Sequence, residues 1–281
     1  MCAMPANDTY VREVERWHAA RIQRLTAPDG WLSLVGLEWL RPGANRVGSA
    51  DDNDVVLARL PPHLGTVTWA EDGTLTIELD PAAAARIDGR AVTHAELLDD
   101  SHTAPTVVSF GNVSFIALDR SGRKGLRVRD SQAPTRTRFA GIQRFPVDPG
   151  WRIVADWTPL SPPFQLATGT VIGTVEHYPA PGMAVFRRRG ERFTVYPVLE
   201  TPAAKQLFLI FADQTSGVET HAAARFLYAD PPHDGKLVLD FNRAYNPPCC
   251  FTAFATCPLA PPENHLAVRV DAGELKYAPV P

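Results

Sequence analysis

The sequence predicts a mainly β protein with one N-terminal helix and one internal helix. Three observations predict it. Prolines number 26 in 281 residues, against an ordinary share of about 5%, and they punctuate short apolar runs, as in chains of many short strands joined by turns. From Trp31 onward apolar residues recur in strand-length runs bounded by turn residues. Helical signals are strongest in two stretches, one before that β region and one that interrupts its second half.

The first helix is expected from a cap at Asn7 or Asp8 to about Thr26, with Tyr10, Val14, Trp17 and Val11, His18, Ile22, Leu25 at helical spacing. Pro28-Asp29-Gly30 stops it as a turn. Strand-like runs follow, including GTVTWA, TLTIEL, VSFIAL and GLRVRD, separated by turns such as Glu71-Asp72-Gly73. Ser131–Phe139 reads as a helical turn. Strands resume at WRIVADW and TVIGTVEHY. The pair MAVFRR/RFTVYPV around Arg189-Gly190 is the clearest hairpin, and LFLIFA (Leu207–Ala212) is a buried strand by its unbroken apolar character. The internal helix is expected over Ser216–Arg225, because Ser216 and Glu219 have capping-box spacing. LVLDF and LAVRV are further strands, with Asp271-Ala272-Gly273 turning a last hairpin. Pro146 and Pro149 flank a boundary. The expected organisation is a helix over 1–30 packing on the body, a first β lobe over 31–145, and a larger β-sandwich or barrel over 146–281 closed by a proline-rich segment.

Composition narrows function by exclusion. Hydrophobic residues make up 45% of the chain, ample for a sizeable core, and the net charge of −3 does not point to nucleic acid. No apolar run approaches the roughly 20 residues that span a bilayer, and MCAMPANDTYVREVERW lacks the order of a secretory leader. A cytoplasmic protein with reduced thiols is expected, with no membrane or nucleic-acid partner. No dinucleotide or phosphate-loop motif and no metal-ligand spacing occurs, so neither cofactor nor metal is expected.

The stretch AYNPPCCFTAFATCPLAPPENH, from Ala244 to His265, holds three of the four cysteines. Pro247-Pro248 and Pro261-Pro262 freeze its backbone, and Asn246 is held extended by the proline that follows. Such a loop suits a lid that presents Tyr245, Asn246, Glu263 and Asn264 to a ligand, or a plug whose amides satisfy buried backbone groups. Cys249 and Cys257 stand eight positions apart, with His265 eight further on, which matches no zinc pattern. They read as small buried residues or, beside a cation or imidazole, as reactive thiols; Arg243 and His265 are the neighbours in sequence. A second cluster, Asp213, Thr215, Ser216, Glu219, Thr220 and Arg225, follows the LFLIFA strand. A buried Arg225 needs an anion, which Asp213, Asp240 or a ligand carboxylate can supply. A third cluster, Arg120 to Arg138, is basic; Arg127 and Arg129 share a strand face and with Arg123 form a candidate anion site or a charged edge.

Two resemblances add to this reading. NRVGSADDNDVVL (Asn45–Leu57), with TVTWAEDGTLTIEL and RIDGRAV, resembles a forkhead-associated sandwich. Gly48 is here followed by Ser49 rather than arginine, and the loop Leu60–Leu64 lacks that family's serine and arginine, so the resemblance implies the fold and not phosphopeptide recognition. GWLSLVGLEWLRPGANRVGS, GRKGLRVRDSQAPTRTRFAGIQRFPVD, FLIFADQTSGVETHAAARFLYAD and DFNRAYNPPCCFTAFATCPLAPPENHLAV together resemble domain of unknown function family 1684 over nearly the full length. That resemblance implies no activity, and Cys250 stands where the family has a small residue. The expected function is binding of a small molecule, an anionic one among the candidates, in a pocket of the second lobe formed by Asp213, Arg225, Asp240, Asn242, Tyr245, Asn246 and the rigid loop. Two alternatives belong beside it: a hydrolase-type enzyme with Asp213, Asp240 or Cys249 as base or nucleophile, and a protein-interaction module in the first lobe.

Overall fold

The computed structural model describes residues 6–278. The chain is mainly β and divides into two compact units, one over residues 25–139, the other made of the residues up to Arg24 with those from Ala140 onward.

The first unit holds ten strands: β1 (Leu34–Trp39), β2 (Gly43–Gly48), β3 (Val55–Val56), β4 (Gly65–Trp69), β5 (Leu75–Leu79), β6 (Arg86–Ile87), β7 (His94–Glu96), β8 (Val108–Phe110), β9 (Val113–Arg120) and β10 (Arg123–Asp130). They form two five-stranded sheets, in the orders β1-β10-β9-β8-β6 and β3-β2-β4-β5-β7. Val47, Val67 and Ile77 of one sheet and Phe115, Leu126 and Val128 of the other are buried in a single core. Alternation of inward apolar and outward polar residues gives each sheet its buried face. A one-turn helix, Pro134–Thr137, closes the unit.

The second unit begins with the long helix α1 (Ala6–Leu25). The helix already runs at Ala6, so Asn7 and Asp8 lie within its first turn and its cap lies outside the described residues. No helix among the described residues is long and apolar enough to cross a membrane. Seven strands follow: β11 (Arg152–Gly169), β12 (Val175–Arg188), β13 (Glu191–Val195), β14 (Leu207–Asp213), β15 (Arg225–Ala229), β16 (Lys236–Asp240) and β17 (His265–Leu266). They build a four-stranded sheet, β13-β12-β11-β16, and a three-stranded sheet, β15-β14-β17. Neither is a closed barrel. Trp151, Phe186, Leu209, Phe211, Leu237 and Phe241 fill one core; Phe208, Ile210, Phe226, Ala255 and Cys257 form a second.

The β12–β13 hairpin turns at Arg189 and Gly190, both at positive φ (51° and 86°), the backbone of the tight turns that match strand twist. The buried strand β14 is as the LFLIFA run predicts. Three expectations fail. β11 continues past WRIVADW through Pro162 and Pro163, because a register shift between Pro159 and Phe164 takes the prolines out of the regular ladder. The last hairpin does not form: β17 is two residues long and pairs parallel with β14, and the chain beyond runs irregularly, Val270 and Ala272 bonding to the side chains of Asp213 and Arg225 and Glu274 N–H to the Ala244 carbonyl. The internal helix over Ser216–Arg225 is also absent. Gly217 adopts φ +81°, which breaks a helix. The Ser216 hydroxyl accepts from the N–H of Asp213 at 3.1 Å instead of capping forward. Glu219 reaches away to Arg269 at 2.5 Å. The N–H groups of Val218, Glu219 and Thr220 all point at the Thr215 carbonyl, 3.0–3.1 Å away. Ser, Thr and Asp side chains here outcompete the helix for local backbone groups.

Candidate functional site

In the second unit, the turn after β14 and the proline-rich segment meet through His221, Cys249 and Cys257. Pro247 and Pro248 fix the backbone before a short 3₁₀ turn, Pro248–Cys250, closed by N–H bonds from Cys250 to the Pro247 carbonyl and from Phe251 to the Pro248 carbonyl, 3.0 and 2.9 Å. This turn aims the Cys249 N–H at the Cys257 sulfur, 3.2 Å away, and sets Cys249 Sγ 3.6 Å from His221 Nε2. All three cysteines of the segment are reduced thiols. Cys257 is buried among Phe208, Phe226 and Ala255, whereas Cys249 lies at the border of that core.

The electrostatics follow from this packing. A hydrogen bond from Cys257, then the His221 contact, hold the Cys249 thiol at about 5 against the opposing effect of burial. Hydrogen bonds to Cys249 and then Cys250 raise His221 to about 9. Each group favours the charged form of the other: the contact draws the thiol down and the imidazole up. Arg243 and His265, the neighbours in sequence, go elsewhere: Arg243 pairs with Asp240 at 3.2 Å, and His265 Nε2 lies 3.1 Å from the Ala260 carbonyl. His221 is the residue that sequence reading missed. Its only signal is its place four residues before Arg225 in the turn after β14, and its contact with Cys249 spans 28 residues.

The other candidates fall into separate groups whose polar atoms bond mainly within the chain. Arg225 is fully buried and donates to Asp213 (3.1 Å), the Val270 carbonyl (3.0 Å) and the Ala272 carbonyl (2.5 Å). Burial lowers its pKa and Asp213 opposes that. Asp240 accepts from Tyr10 at 2.6 Å and from the Asn242 N–H at 3.2 Å; burial first, then that hydrogen bond, raise the Tyr10 phenol. Asn242 also donates to the Asp148 carbonyl at 2.8 Å. Asn264 bonds the backbone of Tyr196 and Ile210, at 2.8 and 3.0 Å. Tyr245 lies under the Arg21 guanidinium, 4.3 Å from the ring centre, and stacks on Tyr228; burial raises its pKa. The Asn246 N–H donates to Glu274 at 2.8 Å and its side-chain amide to the Leu275 carbonyl at 2.7 Å. Glu263 is exposed and lines a groove of about 460 Å³ with Leu160, Pro162, Phe164 and Tyr196.

In the first unit part of the basic cluster is paired within the chain. Arg127 lies 3.5 Å from Asp100 and beneath Trp31. Arg120 meets Asp100 at 2.5 Å, and Arg123 stacks on Trp39 at 4.2 Å. Arg129 is half-buried, and burial lowers its pKa. Among the described residues no three His, Cys, Asp or Glu side chains converge as metal ligands.

No curated protein matches the chain. Among solved structures, the solution NMR structure of the uncharacterized protein from gene locus rrnAC0354 of Haloarcula marismortui is similar, at 28% identity and a TM-score of 0.42, covering 50% of this chain and 78% of that one. The family resemblance read along nearly the whole sequence is carried by comparison over about half of it. Residues 137–275, which include His221, Cys249, Cys257 and Glu274, match the model of the family described as Protein of unknown function (DUF1684).

Proposed function

We propose that the second unit is a thiol-dependent enzyme, with Cys249 as its nucleophile and His221 as its charge partner and proton donor. The 3.6 Å contact between Cys249 Sγ and His221 Nε2 carries the reading. A thiolate is the reactive form of cysteine, and an adjacent imidazolium keeps it ionised at neutral pH. The substrate is a small molecule with an electrophilic atom; the imidazolium favours one that carries or develops negative charge. Binding without turnover would leave the thiolate–imidazolium pair without a role, so covalent chemistry is the better reading. A reduced, cytoplasmic setting suits these thiols. The first unit, with its forkhead-associated-like order of motifs and internally paired arginines, serves as a companion fold.

Alkylation by iodoacetamide, followed by peptide mapping across pH, tests this. Cys249 is expected to react first, with a half-maximal rate near pH 5. His221→Gln is expected to raise that midpoint by about 1–3 units. The other titrating groups nearby are Cys250, Cys257 and Tyr277, so the profile is repeated in Cys250→Ser. A Cys249 rate that climbs only through the ordinary thiol range near pH ~8.5, indifferent to His221, overturns the proposal.

A further inference from the structure

Resting on that reading of Cys249, we propose that the site reduces hydroperoxides, with Cys249 as the oxidised thiol and the buried Cys257 as the thiol that resolves it into an intrachain disulfide. Three observations carry this. The Cys249 N–H lies 3.2 Å from the Cys257 sulfur, so the two side chains start from adjoining positions. The pair is asymmetric: Cys257 is 5% exposed within the apolar core while Cys249 is partly open and touches His221. Finally, the N–H groups of Cys249, Cys250 and Phe251 are already bonded to Cys257 Sγ, Pro247 O and Pro248 O. None of these three N–H groups is therefore unengaged to hold a tetrahedral oxyanion, one of the ways in which acyl transfer is assisted. Peroxide reduction forms no tetrahedral oxyanion; its leaving group needs a proton, and the His221 ring nitrogen lies 3.6 Å from the attacking sulfur.

The steps balance. The Cys249 thiolate attacks the terminal peroxide oxygen; an S–O bond forms and the O–O bond breaks. The departing hydroxide or alkoxide takes a proton from the His221 imidazolium and leaves as water or alcohol. Sulfur is oxidised to sulfenic acid and the peroxide is reduced. The Cys257 sulfur then attacks the Cys249 sulfur; an S–S bond forms, the S–O bond breaks, and hydroxide leaves with the Cys257 proton as water. An external dithiol restores both thiols by exchange. Cys250 is the competing resolver, yet consecutive Cα atoms stand about 3.8 Å apart, short of the roughly 4.4–6.8 Å that disulfides span.

The experiment treats the reduced full-length protein with one equivalent of hydrogen peroxide and maps chymotryptic peptides without reduction, because cleavage after Phe251 and Phe254 parts Cys249 from Cys257. A peptide joining Cys249 to Cys257, lighter by two hydrogens and split by dithiothreitol, is expected in wild type and unchanged in Cys250→Ser. Cys249 is expected to oxidise at least about tenfold faster than Cys250. In Cys257→Ala, Cys249 is expected to persist as a sulfenic acid captured by dimedone. Wild-type protein that gives no such joined peptide, or only a Cys249–Cys250 link, overturns the dithiol; if Cys249 still alkylates with a midpoint near pH 5, the nucleophile reading survives that loss. Cys249 inert to both reagents overturns the two together.

Discussion

Arg225→Met is expected to destabilise the second unit by about 3–5 kcal/mol, the range for removing one partner of a buried ion pair. The guanidinium and the Asp213 carboxylate are both fully buried and 3.1 Å apart. Methionine fills similar volume, so the loss is electrostatic rather than a cavity. It leaves the carboxylate buried beside only neutral donors: the Val270 N–H at 2.6 Å and the Thr215 hydroxyl at 2.9 Å. It also strips the donors from the Val270 and Ala272 carbonyls. Asp213→Asn with Arg225→Met is expected to cost less than the two single changes summed, because it removes the stranded charge. Urea denaturation at pH 7 measures both; a loss under about 1 kcal/mol for Arg225→Met would place the pair among surface-like interactions and defeat the argument. The same variant carries a functional readout. Asp213 ends β14 and Arg225 begins β15, so the ion pair clasps the turn that carries His221. Loosening it is expected to raise the alkylation midpoint of Cys249.

Local signals made much of the fold readable. The spacing of Tyr10, Val14, Trp17 and Leu25 gives α1, and the continuous apolar run gives β14, because each element buries its own face whatever its partners. The turn over Asp213–Ala224 was misread because Ser216 and Glu219 hold the right spacing for a helix cap while their actual partners, Asp213 and Arg269, are decided by tertiary packing. The proline-rich segment was legible as stiff and polar-studded, but the chemistry of its thiols was not. Cysteine reactivity depends on what stands within about 4 Å of sulfur, and His221 arrives from another loop. The same holds for Arg225: Asp213 was one of three partners that sequence left open.

Glu274→Gln is expected to uncouple α1 from the thiol loop and to lower stability by about 3 kcal/mol. Glu274 is 1% exposed and joins three elements. Its carboxylate accepts from Arg21 of α1 at 2.5 and 3.2 Å and from the Asn246 N–H at 2.8 Å. Arg21 in turn donates to the Asn246 carbonyl at 2.9 Å, so the residue before Pro247 is gripped at both ends of its backbone. Gly273 makes this possible: it sits at φ +82°, and a Cβ there would meet the Ala244 carbonyl oxygen at 2.5 Å. Glutamine keeps an acceptor for Asn246 but removes the charge opposite Arg21, which then lies nearly buried without an anion. Arg21→Met with Glu274→Gln is expected to recover part of the loss, as removal of the second stranded group should. Because Asn246, Pro247 and Pro248 aim Cys249, the single variant is also expected to slow alkylation of Cys249 at pH 6. A variant that loses stability while Cys249 reacts at its original rate would show that the turn Pro248–Cys250 holds its geometry through the two prolines alone, and that Glu274 acts on the fold without acting on the thiol.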